Sequence, residues 1–130
     1  MATELTLKVP NKSGQLAAIS SALGDAGVNI SALSGSTLGG KGLVHVVVAD
    51  KDAARARRAL KKADLRVSGD RKLLEVRMAD KPGTLGRVAT RLGKGRVNVD
   101  SAYLIGTGKR SSTIGFGVKD ARKAKKALGR

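Results

Sequence analysis

The amino-acid sequence predicts an α+β fold in which the element order βαββαβ occurs twice, with antiparallel sheets and the helices on one face. Apolar residues switch between a period of two and a period of about 3.6 in the same order in both halves of the chain. Matching residues also recur at a constant offset of 69 positions. The pairs are Gly14 and Gly83, Leu16 and Leu85, Leu23 and Leu92, and Asn29 and Asn98. This constant offset indicates an internal duplication, with one repeat expected over residues 1–69 and another over residues 70–130.

The first repeat begins with a strand followed by a helix. Apolar and polar residues alternate from Leu5 to Val9, which is typical of a strand with one buried face. Apolar residues then recur at i, i+3 and i+7 from Leu16 to Leu23, which favours a helix. The glycine-rich residues 24–27 are expected to end this helix.

The remaining elements of the first repeat follow from apolar runs and turn signals. Residues 28–38 are expected to carry a second strand, and the glycines of residues 39–42 a hairpin turn into a third strand over residues 43–48. Asp50 or Asp52 is expected to cap a second helix with a narrow stripe of small residues. A short closing strand is expected at Leu65–Val67.

The second repeat retraces this order but ends after its second helix. Strands are expected over residues 73–78, 97–105 and 113–118, and helices over residues 85–92 and 120–128. No closing strand follows the second helix, so one sheet edge is expected to be uncovered. An uncovered edge can pair with another chain, and we therefore expect a homo-oligomer.

The chain is strongly basic, with 26 Lys and Arg against 10 Asp and Glu and a formal net charge of +16. Such an excess is compatible with binding to a polyanion such as nucleic acid. The second helix of each repeat carries much of the charge. The candidate polyanion-binding residues are Arg55, Arg57, Arg58, Lys61, Lys62, Arg122, Lys123, Lys125 and Lys126. RNA-binding sheets of this topology stack bases on exposed rings, and only Tyr103 and Phe116 are available, so nucleic-acid binding is the alternative hypothesis.

The residue types argue against an enzyme. There is no Cys, and the single His45 lies on a Val-rich strand without a carboxylate cluster at metal-ligand spacing. No base lies in a motif with a Ser, so no nucleophile, metal or cofactor is expected. The chain has neither a run of about 18 apolar residues nor a secretory leader at Met1. We therefore expect a cytoplasmic protein without a membrane partner.

With these residues in view, the chain resembles a tandem pair of ACT domains, small ligand-binding modules of amino-acid metabolism. The resemblance rests on the loop from Asp80 to Leu85, on the helix behind it and on the Val-Asn-Val or Val-Asn-Ile that opens the next strand, and the first repeat has its own copy of each. It implies a ferredoxin-like fold, domains paired side by side, and an amino acid bound at the seam between domains.

The resemblance also implies which residues bind the ligand. Asp80, Pro82, Gly83 and Thr84 would face Asn29, and Asn11, Ser13, Gly14 and Gln15 would face Asn98. The chemistry agrees, because the amides of a first helical turn attract a carboxylate and a glycine lets it approach the backbone. Asp80 or the asparagine amide oxygens could accept a hydrogen bond from an ammonium group.

Several structural explanations remain open for the same residues. The glycines could serve only a strand-to-helix turn, the asparagines only a local turn, and Asp80 only a helix cap. The first repeat has Asn11 and Ser13 where the second has Asp80 and Pro82, so an occupied site is expected to use the second loop. Arg96, where the first repeat has Gly27, could help to bind an acidic ligand or obstruct the site.

The sequence therefore predicts a stand-alone regulatory or sensor protein. It would bind a free amino acid or a similar small ligand and signal to a separate enzyme or regulator. An ACT-type assembly module without a ligand is a further alternative.

Overall fold

The computed structural model describes all 130 residues of the chain. The chain divides into two units, which we call unit 1 and unit 2 and describe separately. Unit 1 contains Met1–Lys72, and unit 2 contains Leu73–Arg130. The boundary between them falls inside one long strand, β4 (Val67–Ala79).

Unit 1 has an antiparallel sheet and two helices. Its elements are β1 (Ala2–Pro10), α1 (Gln15–Asp25), β2 (Ala32–Leu38), β3 (Lys41–Ala49), a turn of 3-10 helix at Asp50–Asp52, α2 (Ala53–Lys62) and the beginning of β4. The strands lie in the order β2-β3-β1-β4, and the register pairs Leu5 with Val46 and Leu7 with Val44. Alternate residues of β1 and β3 therefore share a face with the helices, and they form one aliphatic core with Ile19, Leu23, Ala56 and Leu60.

Unit 2 repeats the arrangement with the end of β4. Its other elements are α3 (Thr84–Lys94), β5 (Val99–Gly108), β6 (Ser111–Val118) and α4 (Ala121–Ala127). The strands lie in the order β4-β6-β5, and the register pairs Leu74 with Phe116 and Val76 with Ile114. These residues form a second core with Met78, Leu92, Ala124 and Leu128. The predicted α+β class with βαββαβ-type repeats is confirmed.

All four helices end in the same hydrogen-bonded turn. After the last helical turn, one residue takes a positive φ, and the N–H of the next residue donates to a carbonyl five positions back. The residues with positive φ are Gly27, Asp64, Arg96 and Gly129. The following donors are Val28, Leu65, Val97 and Arg130, which bond to the carbonyl oxygens of Leu23, Leu60, Leu92 and Lys125.

This turn corrects three predicted strand boundaries. Val28, Leu65 and Val97 were expected to lie in strands, but β2 begins at Ala32, β4 at Val67 and β5 at Val99. Each of the three residues closes a helix end, and Val28 and Leu65 are buried there against the unit 1 core. An apolar residue after a helix serves this turn as well as it serves a strand, so the sequence pattern does not separate the two.

Other boundaries differ as well. The expected closing strand and the strand over residues 73–78 form one strand, because β4 runs through residues 68–70 without a break. Ser68 donates there to the carbonyl of Thr6, and the carboxylate of Asp70 accepts from Arg57. In unit 2, β5 continues to Gly108, past the predicted end of this strand at residue 105.

The predicted cap of α2 is correct in position, because Asp52 is the N-cap residue, but the side-chain hydrogen bond of a cap is absent. Neither Asp50 nor Asp52 accepts a hydrogen bond from a backbone N–H of that helix. The carboxylate of Asp50 instead accepts a hydrogen bond from the Thr3 hydroxyl at 2.6 Å, and that of Asp52 pairs with Arg55 at 2.6 Å. The cap in unit 2 does form, because Asp120 accepts from the backbone N–H of Lys123 at 3.0 Å.

Candidate functional site

The loop before α1 brings a glycine to the start of the helix. Gly14 occupies the N-cap position with a φ of 89°, a left-handed conformation that an L side chain rarely adopts. The backbone N–H of Asn11 donates to the carbonyl of Gly40 at 3.0 Å, and this bond ties the loop to the β2–β3 hairpin. Asn11, Ser13 and Gly14 are exposed, and Gln15 is partly exposed.

The loop before α3 has the same geometry. Gly83 occupies the N-cap position, again with a φ of 89°. The backbone N–H of Asp80 donates to the carbonyl of Arg110 at 3.0 Å, which ties this loop to the β5–β6 hairpin. Asp80, Pro82 and Gly83 are exposed, and Thr84 is partly exposed. The two loops are therefore one structural motif present in both units.

Both helices begin without a capping side chain and without an acidic residue in the first turn. The first amides of a helix have no internal acceptor, and the helix dipole places partial positive charge on them. A glycine at the cap exposes these amides further because it has no side chain. Each loop therefore offers hydrogen-bond donors that suit a small carboxylate.

The structure decides one of the alternatives left open for Asp80. Because no side chain caps α3 and Gly83 occupies the N-cap position, the interpretation of Asp80 as a helix cap is wrong. Its carboxylate lies on an exposed loop beside Lys81. It is therefore accessible to an ammonium group.

The two asparagines have different surroundings. The side-chain nitrogen of Asn98 donates to a carboxylate oxygen of Asp100 at 2.9 Å, which is the local turn contact considered for these residues. Asn29 is exposed in the segment between α1 and β2. That each asparagine lies opposite the loop of the other repeat stays a prediction.

Arg87 is a residue near the second loop that the sequence did not single out. Its backbone N–H donates to the carbonyl of Gly83 at 3.1 Å, and its guanidinium reaches back to the Thr84 hydroxyl at 3.4 Å. A Cβ on Gly83 would lie 3.2 Å from the guanidinium. The equivalent residue of unit 1 is Ala18, so only unit 2 places an arginine one helical turn after the glycine, whereas each loop also carries a lysine, Lys12 or Lys81. The available signal was the position of Arg87 one helical turn after the glycine.

The Leu residues that follow the two glycines are also exposed. Leu16 and Leu85 were predicted to belong to the apolar faces of α1 and α3, but they are 54% and 48% exposed. Both lie in or beside the first helical turn, next to Gly14 and Gly83. Each loop therefore has an apolar side chain next to its exposed amides.

The basic residues of α2 and α4 do not form a uniform surface. Arg55 pairs with Asp52, Arg57 pairs with Asp70, and Lys123 donates to the carbonyl of Arg96 at 3.0 Å. The other candidates have no carboxylate within salt-bridge distance, and they are Arg58, Lys61, Lys62, Arg122, Lys125 and Lys126. About a third of the candidate polyanion-binding residues are thus engaged within their own unit.

His45 has a local structural contact. Its Nδ1 lies 2.9 Å from the hydroxyl of Thr6, its cross-strand neighbour in the sheet. No three His, Cys, Asp or Glu side chains are grouped so that they could hold a metal ion. No helix of the chain is both long and apolar enough to span a membrane.

The comparisons with known proteins agree with this fold. Residues 3–64 match the family model of the ACT domain. None of the curated proteins compared matches the sequence. Three similar solved structures are described below. Each is at most 22% identical to this chain, so the similarity bears on the fold alone.

Protein BT0572 from Bacteroides thetaiotaomicron is 22% identical, with a TM-score of 0.85 over 98% of this chain and 85% of that one. The ligand-free regulatory subunit of aspartate kinase from Thermus thermophilus is 16% identical, with a TM-score of 0.75 over 98% and 90%. Aspartate kinase from Clostridium acetobutylicum is 19% identical, with a TM-score of 0.67 over 98% of this chain and 31% of that one.

The family match and the structural similarity agree with each other. The first repeat is similar to the ACT domain over residues 3–64, and the chain as a whole has a tandem ACT-like fold.

Proposed function

We propose that this chain is a small regulatory protein that binds a free amino acid or a similar zwitterion and signals its presence to a separate partner. The observation that carries the proposal is the repeated loop, in which Gly14 and Gly83 have the same left-handed φ at the start of an uncapped helix. The ACT-domain match and the similarity in fold to a regulatory subunit of aspartate kinase support a separate enzyme as the partner.

The loop of unit 2 has the better set of groups for an amino acid. The amides of Leu85 and Gly86 and the guanidinium of Arg87 suit the ligand's carboxylate, whereas the amide of Thr84 already donates to the carbonyl of Lys81 at 3.3 Å. The exposed carboxylate of Asp80 suits the ligand's ammonium group. The loop of unit 1 has Asn11 and Ala18 at the two charged positions. We therefore assign the ligand to the loop of unit 2.

Signalling would follow from differential binding. A ligand that binds one arrangement of the protein more tightly increases the population of that arrangement, together with any surface that depends on it. A coupling free energy of about 1 to 3 kcal/mol, typical of allosteric proteins, changes partner affinity by about 5- to 150-fold. Catalysis in this chain is not part of the proposal.

A thermal-shift screen against the proteinogenic amino acids at millimolar concentration tests the proposal. A ligand of the native state raises the melting temperature by mass action. We expect one amino acid, or a few related ones, to raise it. Asp80→Ala should remove the shift, and the matched change Asn11→Ala in unit 1 should leave it in place. A screen without any shift, or a shift that survives Asp80→Ala, would contradict the assignment.

Nucleic-acid binding is the second candidate function. It is favoured by the cations of α2 and α4 that have no carboxylate partner, such as Arg58, Lys61 and Lys125. Duplex DNA and RNA belong in the same screen, because a stabilisation that falls steeply with salt and ignores amino acids would favour this candidate. An ACT-type assembly module would respond to neither additive.

A further inference from the structure

A groove runs between the two helices of unit 1. It has a volume of roughly 450 Å³ and lies between α1 and α2. Four alanines line it, namely Ala22, Ala26, Ala59 and Ala63. A methyl group is the shortest apolar side chain, so the two helices leave an open trough where larger residues would have filled the space. Apolar side chains from another molecule could enter this trough.

The charges around the groove lie on one side of it. Arg55, Arg58 and Lys62 line the α2 side at i, i+3 and i+7, which places them in one row along that helix. Arg58 and Lys62 have no carboxylate within salt-bridge distance, whereas Arg55 pairs with Asp52 and also donates to the carbonyl of Gly27 at 3.4 Å. The residues of α1 include no Lys or Arg, and Asp25 lines the groove on the α1 side.

We propose that this groove docks an acidic amphipathic helix of a partner protein. The apolar face of that helix would lie on the four alanines, because small residues let helices approach closely. Its carboxylates would lie along the flank that faces Arg55, Arg58 and Lys62, where Arg58 and Lys62 lack a carboxylate partner. Asp25 on the opposite wall repels a second acidic flank, so the charges fix which way the helix lies.

The same observations favour a protein helix over a nucleic acid. A duplex presents phosphates on both sides of any groove that it covers, whereas the cations here occupy one wall and a carboxylate the other. The floor has no aromatic ring on which a base of a single strand could stack. The proposal does not depend on amino-acid binding at the loop of unit 2, although this groove would be a surface through which such a signal reaches a partner.

A fluorescent peptide tests the docking surface with the full chain. The peptide has about 18 residues, with leucines at i, i+3, i+4 and i+7 and glutamates along one flank. A scrambled peptide of the same composition and a duplex DNA serve as competitors. We expect the ordered peptide to bind and the scrambled peptide to bind at least about tenfold more weakly, because only the first presents one apolar face.

Two sets of variants locate the binding surface. Arg58→Glu with Lys62→Glu should weaken peptide binding by at least about tenfold, because it reverses two charges at the groove. Arg122→Glu with Lys126→Glu makes the same charge change at i and i+4 on α4, and it should alter binding by less than about twofold. Ala59→Gln with Ala63→Gln keeps the charge, places two amides in the groove, and should also weaken binding.

Three results would overturn the proposal. Equal binding of the ordered and scrambled peptides would show attraction by net charge alone. Equal losses of peptide affinity in the α2 and α4 charge-reversal variants would indicate a diffuse polyanion surface. Displacement of the peptide by DNA would indicate the same surface if the α4 cations contributed to it as much as the α2 cations. Full binding by the folded Ala59→Gln, Ala63→Gln variant would exclude the groove. Circular dichroism establishes that each variant is folded.

Discussion

Two of the four residues that close the helices are not glycine. Arg96 has a φ of 58° and Asp64 a φ of 60°, where α1 and α4 use Gly27 and Gly129. A side chain in this conformation places its Cβ close to the backbone, which costs about 1 kcal/mol or more. The same turn is therefore strained at one helix end and relaxed at another.

Substitutions at Arg96 and Gly27, the equivalent positions after α3 and α1, measure this strain. Arg96→Gly should raise the free energy of unfolding by about 0.5 to 1 kcal/mol, and Gly27→Ala should lower it by about 1 kcal/mol. The space around Gly27 is open, so its substitution tests the backbone and not a clash. Urea unfolding followed by circular dichroism gives both values. A stabilised Gly27→Ala variant would contradict the assignment of strain.

At the scale of the element, the predicted apolar face of α3 is buried at one end of the helix and exposed at the other. Leu85 and Leu92 were both assigned to that face, but Leu92 is 1% exposed within the core of unit 2, while Leu85 is 48% exposed beside Gly83. The helical period places both residues near one stripe. Leu85, however, lies in the first turn of α3 beside the exposed loop, whereas Leu92 lies in the last turn.

Truncation of Leu85 and of Leu92 to alanine distinguishes the exposed leucine from the core leucine. Leu92→Ala should lower the free energy of unfolding by about 2 to 5 kcal/mol, because it leaves a cavity in a closed core. Leu85→Ala should change it by less than about 0.5 kcal/mol, as expected for an exposed position. Chemical unfolding of the two variants provides the comparison. Similar losses for both would show that Leu85 is buried in solution.

The elements themselves could be predicted from the sequence because each has a period of its own. The alternation from Leu5 to Val9 and the offset between the two glycines were enough for βαββαβ in two copies. The first residues of the following strands could not be predicted, since Val28 serves a closing turn with the same apolar side chain that a strand would use. Arg87 was missed because its position one helical turn after Gly83 was its only signal, and arginines are common throughout this basic chain.

At the scale of the whole molecule, the charge sets a dependence on salt. The chain carries a formal charge of +16, and its cations outnumber the carboxylates available to pair with them. Like charges on a folded surface repel one another, and salt screens this repulsion. Raising NaCl from about 20 mM to about 200 mM should therefore raise the melting temperature. A melting temperature that falls with salt would mean that favourable ion pairs dominate.

The single tyrosine gives unit 2 an optical signal that unit 1 lacks. Tyr103 is buried in β5, and the chain has no tryptophan and no second tyrosine. Intrinsic fluorescence therefore reports on unit 2, whereas far-ultraviolet circular dichroism reports on the helices and strands of both units. Coincident unfolding curves from the two probes would mean a single cooperative transition. A separation of the curves would assign each transition to its unit without any added label.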